Sequence, residues 1–208
     1  RKRISVHLNQ RSEMLSGISH DLRTPLTRLK LQLALLKQQD LAKKMTEDIE
    51  EMERMLNEYL EFSRNQKNED TEIVEINSMI TDVIKKYNTK KIKTNFDNNI
   101  EIHLRQNTFK RCLGNLIDNG LSYGSKVVIS TKKTIKDLII LVDDDGPGIP
   151  KEEYEKVIKP FYRIDKSRGQ NKSGVGLGLS IANDIVRSHG GNILLEESPE
   201  NGLRVRIS

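Results

Sequence analysis

The chain has 208 residues, of which 31% are charged and only 4% aromatic, with no tryptophan. This composition argues against an all-β domain and favours long charged helices beside a domain large enough to bury a core. The net charge of +5 does not indicate nucleic-acid binding, because the basic residues are interleaved with acids and no nucleic-acid motif is present.

The sequence also limits the compartment. Cys112 is the only cysteine, which excludes an intrachain disulfide and indicates a reducing environment. No stretch approaches the ~20 apolar residues of a membrane span, and the first residues are not expected to be a signal peptide. Because the chain opens on a segment that is already helix-like, we expect it to be part of a longer protein.

Two long amphipathic helices are predicted first. Apolar residues recur every three or four positions from Leu15 to Leu36, which predicts a helix over residues 4–39. A break near Gln39–Asp40 leads to a second helix, with an inner stripe from Leu41 to Leu60. Two helices alone bury too little of such broad stripes, so we expect a homodimeric four-helix bundle. Packing of the hairpin on its own downstream domain is the alternative.

His20 lies on the first helix but away from its apolar stripe. It is two residues from both Ile18 and Leu22, about 200° round the helix from each, so the imidazole should be exposed. A solvated helix face would be the simplest interpretation, but it does not explain Pro25, which costs ~3 kcal/mol in an ordinary helix interior. An exposed neutral imidazole can attack phosphorus, and Asp21 is placed to accept its proton.

A polar stretch at residues 65–70 predicts a linker between a first domain, 1–66, and a second, 67–208. Beyond it, helical and strand patterns alternate, which predicts an α/β sandwich with helices on one face of a mixed sheet. The predicted strands are Glu72–Ile76, Lys91–Asp97, Ile100–Leu104, Val127–Lys132, Asp137–Val142, Asn192–Glu196 and Leu203–Ile207. The predicted helices are one from Asn77, as cap, to Tyr87, then Thr108–Ser122, Glu152–Val157 and Gly178–His189.

Two asparagines share one face of the predicted helix 108–122. Asn115 and Asn119 are one turn apart, and Tyr123 follows a turn later. Stacked amides of this kind offer aligned oxygens to Mg²⁺, a hard cation that prefers oxygen ligands.

An acidic turn follows the predicted strand 137–142. Asp143, Asp144 and Asp145 precede Gly146 and Gly148. Three adjacent acids repel phosphate but can accept hydrogen bonds from an exocyclic amine, and the glycines allow the backbone to approach a flat ring.

The next segments suit a lid and an anion site. Phe161 and Tyr162 form an aromatic anchor before the polar run IDKSRGQNKSGV, which is typical of a lid or of disorder. Residues 174–179 then lead into a helix, where glycine amides can bind an anion. Their spacing is neither that of a dinucleotide site nor that of a Walker loop.

Together these motifs resemble those of the sensor histidine kinases of two-component systems, over essentially the whole chain. SHDLRTPLT (19–27) is similar to the family's phosphoacceptor box and NLIDN (115–119) to its N box. DDGPG (144–148), KPFYR (159–163) and GVGLGL (174–179) resemble its first glycine box, F box and second glycine box. The forms SHDLRTPLTRLKL, DDDGPGIP and FYRID are most similar to those of osmosensor-type kinases.

The resemblance implies a dimeric four-helix bundle followed by the ATP-binding fold of gyrase, Hsp90 and the mismatch-repair ATPases. It implies an ATP-dependent autokinase that passes its phosphoryl group to an aspartate of a response regulator receiver domain and also dephosphorylates that regulator. This chain would be the cytoplasmic portion of an inner-membrane sensor protein. The alternatives are an ATPase of the same nucleotide fold, of chaperone or DNA-repair type, and a catalytically silent dimeric scaffold.

The resemblance also implies a role for each matching residue. His20 would be the phosphoacceptor, Asp21 its general base, and Thr24 a residue that positions water for dephosphorylation. Asn119, assisted by Asn115, would hold Mg²⁺. Asp144 would accept the adenine amine. The other predicted nucleotide-binding residues are Ser122, Tyr123, Gly146, Gly148, Phe161, Arg163, Ile164, Gly174, Val175, Gly176, Leu177, Gly178 and Leu179.

The sequence departs from the family pattern at two places. Gly120 stands where alanine is usual, which lowers helix propensity by up to ~1 kcal/mol but leaves the ligand side chains alone. The lid is slightly lengthened. Neither change is expected to affect activity.

Overall fold

The computed structural model describes residues 25–29, 31–33, 42–43, 45–47, 49–50, 52–53, 69–97, 99–134, 138–164 and 176–208. The chain divides into two compact units, residues 1–68 and residues 69–208. The predicted break near Gln39–Asp40 falls outside the described residues. Among the described residues, no helix combines the length and apolar character needed to cross a membrane.

The first unit is helical at every residue described. Leu26, Leu33 and Ile49 form a buried apolar cluster. Leu26 and Leu33 belong to the stripe of the first predicted helix, and Ile49 belongs to that of the second. The two predicted stripes therefore pack on each other.

The apolar stripes of the two helices are wider than the surface that this buried cluster covers. Leu29, Met45 and Met52 were predicted on the inner faces, yet they are 44%, 41% and 53% exposed. This agrees with the expectation that two helices alone bury too little of such broad stripes, because one helix covers only a narrow strip of its neighbour's surface. An apolar margin is left beside the buried cluster.

Seven strands are described in the second unit. They are β1 (Glu72–Glu75), β2 (Ile92–Asn95), β3 (Glu101–Leu104), β4 (Val127–Lys133), β5 (Leu138–Asp144), β6 (Ile193–Glu197) and β7 (Leu203–Ile207). Five of them form a mixed sheet in the order β2-β4-β5-β7-β6, in which only β2 and β4 are parallel. β1 and β3 pair antiparallel as a separate ribbon, with Ile73 opposite His103.

Helices pack on this sheet around one central member. The helices are α1 (Ile76–Ile84), α2 (Gln106–Tyr123), α3 (Tyr154–Val157) and α4 (Gly178–Ser188), with 3₁₀ turns at Thr89–Lys91 and Lys151–Glu153. α2 contacts α1, α4, β4 and β5. The largest fully buried side chains are Ile76, Met79, Ile80, Ile100, Leu104, Leu113, Leu116, Ile117, Ile129, Ile140, Leu177 and Ile185. The predicted α/β architecture is confirmed, with element ends shifted by a few residues.

The predicted cap of α1 is wrong. The Glu75 carboxylate accepts hydrogen bonds from the backbone N–H of Asn77 (3.1 Å) and of Ser78 (2.6 Å), so the helix starts two residues earlier than expected. Asn77 instead makes hydrogen bonds to residues that are distant in the sequence. Its Nδ2 donates to the Asp97 carbonyl, and its Oδ1 accepts from the Thr131 hydroxyl. These partners lie far away in sequence, which a local capping rule does not consider.

Candidate active site around helix α2

The two asparagines of α2 lie at the border of the core. Leu116 and Ile117 between them are buried, whereas Asn115 and Asn119 are each partly exposed. The Nδ2 atom of Asn115 is buried and has no hydrogen-bond partner among the described residues. A buried donor left without a partner costs about 1–3 kcal/mol. The position therefore favours a ligand that brings an oxygen.

These residues fit a nucleotide phosphate with its cation. The unpaired Asn115 donor suits a phosphate oxygen, which is an acceptor. One turn further along the helix, Asn119 offers a carboxamide oxygen, and Mg²⁺ is commonly held by one or two protein oxygens together with phosphates and water.

Asp144 ends β5 with a buried carboxylate. Its Oδ1 accepts hydrogen bonds from the backbone N–H of Gly146 (2.9 Å) and of Leu203 (3.1 Å). Burial raises the pKa of Asp144, and these two bonds oppose that rise only in part. No described residue donates to Oδ2. A carboxylate held in this way is oriented for one further donor.

Gly202, which was not predicted as a site residue, makes room for this carboxylate. A Cβ at position 202 would lie 2.2 Å from Asp144 Oδ1 and 2.6 Å from the nitrogen of Gly146. No side chain can occupy that space. The sequence signal was only a turn residue before β7, and nothing local linked it to Asp144.

Asp145 was singled out only as part of the acidic run, yet it fastens the acidic turn to the end of α2. Its carboxylate accepts from the Ser125 backbone N–H (2.7 Å), the Ser125 hydroxyl (2.6 Å) and the Lys126 N–H (2.9 Å). The hydrogen bond from the Ser125 hydroxyl is the main reason that the pKa of Asp145 is lowered. The residues between α2 and β4 are thus fixed beside Asp144. Ser125 was not predicted as a site residue.

Gly120 lies on the face of α2 that packs against Val127 and Asp144. A Cβ at this position would be 2.7 Å from Val127 Cγ2 and 3.4 Å from Asp144 Cβ. The departure from alanine thus has a packing reason. The lost helix propensity is offset by the close approach of α2 to β4 and β5.

The remaining predicted residues of the acidic turn and of the end of α2 also lie here. Gly148 has φ of 68°, a left-handed conformation that favours glycine. Ser122 is exposed, and its hydroxyl donates to the Asp118 carbonyl. Tyr123 is exposed as well, and a Cβ at Gly146 would lie 3.1 Å from its carbonyl oxygen.

The two segments that flank residues 165–175 meet each other. The Phe161 N–H donates to the Gly176 carbonyl at 3.0 Å, and both residues have positive φ, 63° and 77°. A Cβ at Gly176 would lie 2.9 Å from the Tyr162 carbonyl oxygen. Phe161 and Ile164 are 58% and 44% exposed, and Arg163 is partly exposed. The predicted lid therefore has both of its ends fixed, with an aromatic ring on the surface beside them.

The start of α4 lies against Asn115. A Cβ at Gly178 would be 3.7 Å from the Asn115 carbonyl oxygen. Leu177, the N-cap residue, provides no side-chain hydrogen bond, and the first turn has no acid. The first-turn amides can therefore bind an anion. Leu177 and Leu179 are buried, so only their backbone could face a nucleotide.

One acid of the triplet belongs to the opposite face of the sheet. Asp143 is buried, and Arg204 donates to both of its oxygens, through Nε at 2.7 Å and Nη2 at 3.1 Å. The structure thus brings the two asparagines, Asp144 and the start of α4 together around α2 and excludes Asp143. The predicted residues His20, Asp21, Thr24, Gly174 and Val175 lie outside the described residues.

Two family models match the chain. The model described as histidine kinase-, DNA gyrase B- and HSP90-like ATPase matches residues 104–208, and the His Kinase A phospho-acceptor domain matches residues 10–68.

Similar proteins span both matched regions. The sensor histidine kinase GtrS of Pseudomonas aeruginosa is 36% identical over 99% of this chain and 43% of its own length. CpxA of Escherichia coli is 34% identical over 96% of this chain and 47% of its own length. The chain thus spans less than half the length of these relatives.

Solved structures show the same fold. Full-length ShkA in complex with AMPPNP matches 94% of this chain and 45% of its own, with a TM-score of 0.69 and 19% identity. The catalytic domain of the histidine kinase ThkA matches 66% of this chain and 93% of its own, with a TM-score of 0.56 and 25% identity.

Proposed function

The chain belongs to the sensor histidine kinases of two-component systems, and from that premise we propose that it phosphorylates its own His20 with ATP. It then passes the phosphoryl group to an aspartate in the receiver domain of a response regulator. Residues 1–66 would be the dimerisation and phosphotransfer domain and residues 67–208 the catalytic domain. The observation that carries the proposal is the buried Asp144 carboxylate, which is held by two backbone amides and has one oxygen left to accept.

Asp144 would recognise adenine. An exocyclic amine donates a hydrogen bond, and Oδ2 of Asp144 is fixed at the end of β5 to accept one. The elevated pKa of this carboxyl reflects burial that a bound donor would compensate. Gly146, Gly148, Ser122 and Tyr123 would line the same pocket.

The phosphates would lie between the two asparagines and the start of α4. Asn119, assisted by Asn115, would hold Mg²⁺, which when bound neutralises charge that develops on the phosphates. The unpaired Nδ2 of Asn115 and the uncapped amides of α4 provide donors. The remaining residues of this part are the lid and glycine-run positions Phe161, Arg163, Ile164, Gly174, Val175, Gly176, Leu177, Gly178 and Leu179.

The chemical step is an in-line displacement. A His20 ring nitrogen forms the bond to the γ-phosphorus as the bond from that phosphorus to the bridging oxygen breaks, and ADP leaves. Asp21 accepts the proton from the ring. The lid excludes water from the site during transfer. In the reverse role toward the phosphorylated regulator, Thr24 would position the attacking water.

We also propose that the protein works as a homodimer. The exposed margin of Leu29, Met45 and Met52 supports this, because a second hairpin would cover it. The full-length protein would be an inner-membrane sensor with this chain as its cytoplasmic portion, in keeping with relatives that are named sensor histidine kinases and are more than twice as long. The osmosensor-type assignment stays a prediction from the motif variants.

The decisive experiment is incubation with γ-³²P-labelled ATP and Mg²⁺, with wild type beside His20→Gln. We expect labelling of the wild type alone, and a product that is labile in acid and stable in alkali, as a phosphoramidate is. Release of ³²P-phosphate by both proteins, with no label on either, would favour the ATPase alternative. Undetectable MgATP binding would favour the silent scaffold.

A further inference from the structure

The N-terminus of α2 is capped by a residue from far upstream. Its own N-cap residue, Arg105, provides no side-chain hydrogen bond to the first turn. The Glu69 carboxylate does so instead, accepting from the backbone N–H of Asn107 and, through Oε2, from the N–H (2.9 Å) and hydroxyl (2.6 Å) of Thr108. First-turn amides lack partners within the helix, and a carboxylate there also meets the positive end of the helix dipole.

Arg105 makes hydrogen bonds to the end of α4 instead. Its guanidinium donates to the Ser188 hydroxyl, and its backbone N–H donates to His189 Nε2 at 3.1 Å. The His189 ring packs edge-on against Phe109, with centroids 5.7 Å apart. Glu69 is therefore bound at the junction of α2 with the end of α4, the two helices that carry the asparagines and the glycine run.

Glu69 lies where the predicted linker meets the second unit, so its contact with α2 fixes the end of that linker. It is the first residue of the second unit and comes three residues before β1 begins at Glu72. It also lies within the polar stretch predicted as the linker. Burial raises the pKa of Glu69, but the hydrogen bonds from Thr108 and Asn107 outweigh that effect and lower it, so the carboxylate is ionised at neutral pH.

We propose that Glu69 is a positioning residue that fastens the end of the connecting segment to the N-terminus of α2, and so sets the rate of transfer to His20 without contributing to MgATP affinity. This rests on the proposed function. Without Glu69, residues 69–71 would join the tether and add about 10 Å of reach at ~3.3–3.6 Å per residue. A longer tether lowers the effective concentration of the nucleotide site at His20.

Hydrogen exchange in the whole chain tests the attachment itself. In Glu69→Ala, exchange should accelerate at the amides of Asn107 and Thr108, which lose the carboxylate that accepts from them, but not at 112–123, where the helix ladder is intact. Asp70→Ala is the matched control, since Asp70 makes no hydrogen bond or ion pair within the described residues. Unchanged exchange at Asn107 and Thr108 would overturn the proposal.

Kinetics test the consequence. For Glu69→Ala, we expect the first-order rate of His20 phosphorylation at saturating MgATP to fall by about threefold or more, with the Kd for MgATP within about twofold of wild type. Glu69→Gln, which keeps one acceptor oxygen, should lie between Glu69→Ala and wild type. A parallel loss of affinity and rate would mean a merely structural cap, and an unchanged rate would also refute the positioning role. If wild type forms no phosphohistidine, the proposed function fails, while hydrogen exchange still decides the attachment.

Discussion

Asp143 and Asp144 are neighbours on β5, both buried, and their environments are opposite. Asp143 faces one side of the sheet, where Arg204 satisfies both of its oxygens. Asp144 faces α2, and in the part of the chain that the structure describes only two backbone amides donate to it, both to the same oxygen. The alternation of side chains along a strand places one acid in a closed ion pair and the next in an open site.

We therefore expect Asp143 to stabilise the fold and Asp144 to bind a ligand. Arg204 donates to both carboxylate oxygens of Asp143, so this ion pair offers no acceptor to a ligand. A buried carboxylate with an unused oxygen and a raised pKa is unfavourable in the free protein. Substitutions on the two sides of β5 should therefore affect stability and nucleotide binding in opposite ways.

The largest effect should come from breaking the closed side. Arg204→Ala leaves Asp143 buried without its partner, and we expect the free energy of unfolding in urea to fall by about 2–4 kcal/mol. The Kd for MgATP, measured by calorimetry, should stay within about twofold, since no nucleotide contact is lost. Arg206→Ala is the control, because its pair with Glu196 is long (3.6 Å) and more exposed, worth at most about 1 kcal/mol. A stable Arg204→Ala protein with weakened nucleotide binding would contradict the assignment.

The next effect should come from the open side. Asp144→Asn replaces an acceptor by an amide that still accepts from Gly146 and Leu203 but cannot accept the adenine amine at its nitrogen. We expect MgATP affinity to fall about 10- to 100-fold, the worth of a hydrogen bond to a charged group. The free energy of unfolding should not fall. Asp143→Asn should show the mirror result, and retention of full affinity in Asp144→Asn would refute adenine recognition by this residue.

The smallest effect is a pH dependence that only the open side should show. The pKa of Asp144 is raised in the folded protein above the usual 3.8, so the folded state keeps a proton that the unfolded state releases. The free energy of unfolding of the wild type should therefore fall relative to that of Asp144→Asn as pH rises above about 4. The difference, Asp144→Asn minus wild type, should stop increasing once the folded carboxyl is ionised. Urea unfolding of both proteins between about pH 4 and 7 measures this difference. If the free energy of unfolding of Asp144→Asn minus that of wild type decreases with rising pH, the burial of the Asp144 charge is contradicted.

Local periodicity was enough to predict the framework of the catalytic unit. α2 and the strands β4 to β7 occur where the spacing of apolar residues placed them, because burial on one face repeats along each element. The same spacing predicted that Asn115 and Asn119 share one face of α2, whereas Asp144 was singled out by the acidic turn and by the motif resemblance, and the roles of all three stay predictions.

What the sequence did not reveal depends on contacts between distant segments. Leu203 donates to Asp144 across 59 positions, and Glu69 accepts from Thr108 across 39. Gly202 could not be distinguished from an ordinary turn glycine until the sheet order placed it beside Asp144. The excess width of the hairpin stripes, by contrast, was predicted from the sequence, because it depends only on neighbouring positions along each helix.

The hydrogen bond between Phe161 and Gly176 has a practical consequence. It joins the two described segments on either side of residues 165–175 through backbone atoms alone. Closure entropy grows only by about 0.6 kcal/mol for each doubling of loop length. A short fluorescent peptide inserted between Lys166 and Lys172, which leaves Gly174 and Val175 in place, should therefore be tolerated, and a change in its emission on addition of MgATP would report nucleotide binding.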